Sequence, residues 1–185
     1  MLCALLGTGI AAEVGLYADD QCTSCRLEVG PGESDEFFVR FITDGLPDQQ
    51  FMTSAGFRIV GLPPGWTAVA TPHPDAPVAL GSVFGSGANI AFSSARDQSC
   101  SLLYAVRLEA PAAAEVTEGF VLEVRSPDPP SIPELECPWI SVACALGPCD
   151  IVYCVEGGRL FVNTPGDCTV DAESEPWSFI KALFR

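Results

Sequence analysis

Basic residues are scarce in this chain: 9 Lys and Arg stand against 24 Asp and Glu in 185 residues, a formal charge of -15. That deficit excludes nucleic acid as a natural partner, because binding it needs a basic surface that displaces phosphate counterions. It also argues against an anionic membrane surface. Histidine is scarcer still, with His73 the single one, set between Pro72 and Pro74. Ser-His-Asp or Cys-His catalysis would have to run through it. No nucleophile-elbow pattern accompanies it, so it reads as a solvent-exposed loop residue, and no catalytic residue is assigned. A histidine-based zinc site fails for the same shortage. Long apolar runs are missing too: Leu2 to Ile10, roughly nine residues, is too short to span a bilayer. Helical periodicity is absent from the body of the chain, which leaves an all-β reading.

The short apolar run has another use. It ends in Gly9, Ile10, Ala11 and Ala12, with small residues where signal peptidase needs them. Residues 1–12 therefore read as a signal peptide cleaved after Ala11 or Ala12. Its missing basic region suggests that Met1 is a late start trimming a longer signal. Cys3 precedes the run and leaves with it. Eight cysteines remain: Cys22, Cys25, Cys100, Cys137, Cys144, Cys149, Cys154 and Cys168. An even number in an exported chain reads as a disulfide framework, which places the protein outside the cell or on its surface. Three precede residue 130 and five follow it, so full pairing requires at least one bond between the two parts. Gly147-Pro148 turns the chain between Cys144 and Cys149, which predicts a hairpin-end bond there. Cys137 with Cys154, and Cys100 with Cys168, are further expected pairs.

Short β-rich runs separated by Gly and Pro start at Glu36. Glu36 to Thr43 is apolar on both faces, as a central strand should be. Further runs are Gly56 to Val60, Trp66 to Thr71, Asn89 to Ser93, a strand placing Leu102, Tyr104, Val106 and Leu108 on one face, and one placing Phe120, Leu122 and Val124 on one face. Asp44-Gly45-Leu46-Pro47, Leu62-Pro63-Pro64-Gly65 and Gly85-Ser86-Gly87 are turn chemistry, and Thr71-Pro72-His73-Pro74 cannot lie in a central strand. This spacing predicts a disulfide-stapled two-sheet β-sandwich over 13–170, of immunoglobulin-like or jelly-roll type. The proline-rich Ser126 to Pro133 makes an extended connector. Beyond it, Trp139 to Ala143, Asp150 to Val155 and Arg159 to Asn163 predict a Cys-rich β-meander extension at 134–170, turning at Gly157-Gly158. Residues 171–185 form an acidic spacer followed by a short amphipathic helix. Its stripe of Trp177, Ile180 and Phe184, with Leu183 beside it, is a candidate docking or sorting element.

Other chemistry is weaker. Cys22-Thr23-Ser24-Cys25 has redox-dithiol spacing but lacks the helix start such a thiolate needs. The gaps among Cys137, Cys144, Cys149 and Cys154 lack the paired knuckles of zinc ribbons, so disulfides are preferred and no metal is assigned. No cofactor is expected, although Asp19-Asp20, Asp44 to Asp48 and Asp167 to Glu173 offer oxygen ligands for a structural calcium ion. Trp66 and Trp139 are the candidate ligand-binding residues, since an exposed indole face stacks on sugars; core packing is their plainer use.

Gly15-Leu16-Tyr17-Ala18-Asp19, the run Gly56-Phe57-Arg58-Ile59-Val60-Gly61-Leu62-Pro63-Pro64-Gly65-Trp66 and the terminal Trp177-Ser178-Phe179-Ile180-Lys181-Ala182-Leu183-Phe184-Arg185 together resemble a group of uncharacterised exported bacterial proteins. These proteins begin and end in this way. The resemblance implies export and carries no activity. At the level of fold, the sandwich is similar to cohesin and carbohydrate-binding modules, without a diagnostic cohesin motif. A noncatalytic extracellular binding module for glycan or cell-surface protein is therefore the first expectation. A self-assembling filament or coat subunit is the second, and a hydrolase with paired carboxylates the third.

Overall fold

The computed structural model describes residues 12–43, 46, 50–96, 100–112, 118–132, 135–144 and 147–168, with backbone alone at 95 and 147–150. The expected signal segment before residue 12 and the terminal stripe of Trp177, Ile180, Leu183 and Phe184 lie outside the described residues. So do most of the acid-rich stretches 44–48 and 167–173 and the side chain of Cys149.

The described chain is all-β and folds into two sheets. In order the strands are β1 (Ala12–Tyr17), β2 (Arg26–Leu27), β3 (Ser34–Thr43), β4 (Gln50–Val60), β5 (Thr67–Pro72), β6 (Val78–Ser82), β7 (Gly87–Arg96), β8 (Ser101–Glu109), β9 (Phe120–Arg125), β10 (Trp139–Cys144), β11 (Gly147–Cys154), β12 (Glu156–Gly157) and β13 (Arg159–Val162). The five-stranded sheet runs β12-β1-β3-β8-β5; the eight-stranded sheet runs β11-β10-β4-β9-β13-β2, with β7 and then β6 added beside β4. β7 and β10 pair with the same stretch of β4 and so flank it, and the end of β4 passes on to β9.

Period-two alternation explains the core. Phe37, Val39 and Phe41 of β3 meet Val14 and Leu16 of β1 and Tyr104, Val106 and Leu108 of β8, all buried between the sheets. From the other sheet Met52, Ala55, Phe57 and Ile59 of β4, Ala88 and Ile90 of β7, Leu122 and Val124 of β9 and Leu160 and Val162 of β13 close on them. Fully burying a Phe or Leu side chain contributes about 1.5–3 kcal/mol. Leu102 departs from the expected face. A β-bulge between Val39 and Arg40 leaves Leu103 as the extra residue opposite that step, so Leu103 is buried and Leu102 pairs with Arg40 on the outer face.

Pro72 ends an edge strand, as its missing N–H requires. The expected C-terminal meander is not formed. β10 and β11 make the hairpin, but β12 crosses to pair in parallel with β1, and β13 returns to lie between β9 and β2. Gly157-Gly158 is thus no hairpin turn. Gly158 allows a close passage over β1, where a Cβ would stand 2.0 Å from Glu13 Oε1 and 2.8 Å from the Gly15 Cα.

Three disulfides are resolved: Cys22–Cys100, Cys25–Cys168 and Cys137–Cys154, with Cα separations of 6.0, 5.3 and 5.6 Å. Cys144 is disulfide-bonded as well. Its expected bond to Cys149 falls outside the described residues. Cys137–Cys154 matches the expectation, and Cys25–Cys168 is the required bond between the two parts of the chain. The expected Cys100–Cys168 pair is overturned. Cys25 sits just before β2, which runs parallel to β13, so the chain leaving β13 delivers Cys168 to it, while Cys22 is left for Cys100. The Cys22/Cys25 dithiol reading falls with it, because each sulfur is bonded to a distant partner.

Candidate functional site

The outer face of the eight-stranded sheet divides into a covered part and an open part. Register places Cys154, Trp139, Gly56, Asn89 and Leu80 in one cross-strand row, and Val152, Ser141, Ser54, Ala91 and Val78 in the next. Residues Pro127, Asp128 and Ser131 of the proline-rich connector lie against this part of the sheet. Pro127 is buried against Gly87, where a Cβ would come within 2.8 Å of it, Arg58 pairs with Asp128 at 3.0 Å, and the Ser131 hydroxyl donates to Asn89 Oδ1 at 2.9 Å. Gly56 is the low point of this row: a Cβ there would stand 2.3 Å from the Trp139 ring, so its absence lets the indole lie flat on the strand.

The second row is open. Its centre consists of the small, half-buried Ser141, Ser54 and Ala91, with exposed valines at both ends, Val152 on β11 and Val78 on β6. Leu80 extends the apolar margin. Val78 and Leu80 are 43% and 63% exposed, two residues apart on the same face of β6. Every residue of β6 is exposed, and among the described residues it pairs with β7 alone. The surface is therefore a shallow trough of small side chains with an apolar strand along one side, a shape that admits a protein surface more readily than a small molecule.

The β5–β6 connection is held from beneath by His73. Its Nδ1 accepts the Asp75 N–H at 3.1 Å and lies 3.1 Å from Arg96 Nη2, and its ring meets Phe92 edge-on. Arg96 also pairs with Asp75 at 3.0 Å and stacks over Phe92. His73 is half-buried, which corrects its reading as an exposed loop residue. Desolvation, helped by Arg96 and opposed by Asp75, holds its pKa below the ordinary histidine value. The neutral ring fits its use as an acceptor.

The two tryptophans singled out as sugar platforms are not brought together, and neither is open. Trp66, 8% exposed, precedes β5 and packs edge-on against Phe120 with ring centroids 4.8 Å apart. Trp139, 9% exposed, lies over Gly56, its Nε1 buried without a hydrogen-bond partner among the described residues.

A second cluster occupies the outer face of the five-stranded sheet. Gly15 has Glu13 and Tyr17 on either side along β1, and Arg40 opposite it on β3. Burial first, and then the neighbouring Glu156, push the Glu13 carboxyl up to about 7, with a long Tyr17 hydroxyl contact opposing them. The Arg40 guanidinium donates to the Cys100 carbonyl at 3.1 Å and stacks over Phe38. Desolvation lowers its pKa against the pull of Asp20 and Asp19. Glu13 faces the backbone of Gly158, not a cleft. Nearby, slight desolvation of the Asp19 carboxyl is outweighed by hydrogen bonds from Thr23 and Gln21, which hold its pKa down. No group of three or more metal-ligating side chains is gathered among the described residues.

The open row was not singled out by sequence reasoning, which has no strand at 78–82. The available signal was Pro77 followed by Val78-Ala79-Leu80-Gly81-Ser82, a short uncharged run bounded by turn residues.

No protein-family model matches the chain, and no curated protein matches it in sequence. Solved structures with a related fold include cohesin modules. The cohesin module of a family 33 glycoside hydrolase from Clostridium perfringens aligns with a TM-score of 0.50 at 15% identity, over 85% of this chain and 98% of that one. The sixth cohesin of scaffoldin B from Acetivibrio cellulolyticus, solved with a dockerin, gives 0.49 at 12%, over 85% and 100%. At these identities the likeness is one of fold.

Proposed function

We propose that this chain is a noncatalytic, exported protein-binding module whose contact surface is the open row of the eight-stranded sheet together with β6. The observation that carries the reading is the exposure of Val78 and Leu80 beside the small residues Ala91, Ser54 and Ser141 on one continuous face. An apolar margin kept in water beside a flat, uncharged floor marks an interaction surface. The fold shared with a cohesin module supports a scaffold that presents a sheet face, and the disulfides support residence in an oxidising compartment. A protein is preferred to a glycan because Trp66 and Trp139 offer no open ring. A hydrolase is disfavoured because, among the described residues, the one strongly perturbed carboxyl, Glu13, has no cleft before it.

Photo-crosslinking tests the reading. A benzophenone side chain is placed at Ser54 or Leu80, and as a control at Val69 on the opposite sheet, in chain added to its native culture. Adducts with another exported protein from Ser54 and Leu80, in excess of Val69, are expected. Equal yields from Val69 would overturn the choice of surface, and adducts solely between copies of this chain would favour a structural subunit.

A further inference from the structure

We infer that β6 is a strand acceptor: a partner supplies an extended segment, apolar at alternate positions and basic at its ends, that pairs with the free edge of β6 and adds one strand to the eight-stranded sheet. The inference rests on the protein-binding reading above and specifies its mode. Sheet edges are protected in natural proteins by shortness, proline or charge, because a row of unpaired N–H and C=O groups invites another chain. The other edges here have such protection. β12 and β2 are two residues long, β5 ends in Pro72 and at its other end runs beside the Arg107–Glu109 ion pair of its neighbour β8, and β11 contains Pro148 and Asp150. β6 has none of these: Val78 to Ser82 holds five residues with no charge and no proline, all exposed.

The occupant follows from the same features. Val78 and Leu80 point to one face, so an added strand meets them with side chains at alternate positions, where directly opposed Cβ atoms come within about 5 Å. The chain carries a formal charge of -15, which repels an acidic segment and a second copy alike, and attracts a basic one. The knot of His73, Asp75, Arg96 and Phe92 holds the start of β6 in place before any partner arrives, which lowers the ordering cost of pairing.

The test uses the full chain and three synthetic peptides: Lys-Thr-Val-Thr-Val-Thr-Val-Lys, the same sequence with Glu at both ends, and the Lys form with its central Thr-Val replaced by Pro-Pro. Amide hydrogen exchange at residues 78–82 is the readout. The Lys peptide at ten times its dissociation constant should slow exchange there by about tenfold. The Glu and proline forms should leave it unchanged, and Leu80→Lys should abolish the effect. The inference is overturned if the Lys peptide gives no protection, if the proline form protects equally, or if protection grows with protein concentration alone, the sign of pairing between copies. If crosslinks from Ser54 persist while the Lys peptide leaves β6 unprotected, strand addition fails and the binding reading stands.

Discussion

Among single residues, Glu13 is placed most against its own chemistry. It is 9% exposed, faces Glu156 across the β1–β12 pairing, and its carboxyl titrates near 7 against 4.5 in the unfolded chain. The folded protein therefore holds this proton where the unfolded chain has lost it. Stability contributed here is fully present below pH 4.5, declines as pH rises toward 7, and levels off above. The gap amounts to about 3 kcal/mol. Glu13→Gln should flatten the curve and exceed the wild type by that amount at pH 8. Urea unfolding at pH 4.5, 6 and 8 checks it, and parallel curves for the two proteins would refute it. Nothing in the sequence marks Glu13, because its titration depends on burial in the folded sheet and on Glu156 of β12, which lies more than a hundred residues away. Tryptophan was more legible. Core packing was the plainer reading of Trp66 and Trp139; Trp66 does join the core, whereas Trp139 is buried on the outer face of its sheet, and no local pattern announces that Gly56 makes room for its indole.

At the scale of elements, the strands with clean alternation were readable, and those depending on distant partners were not. β3, β9 and most of β8 follow from Phe37, Val39 and Phe41, from Leu122 and Val124, and from Tyr104, Val106 and Leu108. Leu102 misled because a bulge is invisible to a period-two count. β13 was read as the strand from Arg159 to Asn163, but its place between β9 and β2 was not, and β12 was missed, since a two-residue parallel pairing with β1 carries no local signal and Gly157-Gly158 has the same composition as a hairpin turn. β6 escaped notice for a related reason: all its residues are exposed, so no buried face imposes alternation on it. The same exposure makes a clear stability prediction. Val78→Lys and Leu80→Lys together should change stability by less than about 1 kcal/mol, as substitutions outside a packed core do. Thermal unfolding measures this, and a larger loss would mean that β6 is built into the core and is no free edge.

For the molecule as a whole, the bond from Cys25 to Cys168 spans a sequence separation of 143 residues and ties the chain leaving β13 to the start of β2. Loop-closure reasoning assigns such a bond about 4–5 kcal/mol. Cys25→Ser with Cys168→Ser should lose stability of that order in denaturant titration. A loss below about 1 kcal/mol would show that pairing of β2 with β13 keeps these ends together unaided. The parity of the cysteines foretold a bond of this kind, but not its members, since which cysteines meet is decided by the parallel pairing of β2 and β13. With the sandwich closed in this way, its two outer faces differ: one has the buried, ionisable Glu13, Tyr17 and Arg40, the other the small, uncharged row through Ser54 and Ala91. The most direct measurement is calorimetric titration of the exported protein captured from Ser54 into wild-type chain, Ala91→Arg and Val69→Arg. Ala91→Arg should weaken binding at least a hundredfold, about 3 kcal/mol, with its melting temperature retained, and Val69→Arg should bind as the wild type does. Unchanged affinity for Ala91→Arg, or its loss in Val69→Arg, would contradict the assignment of binding to this face.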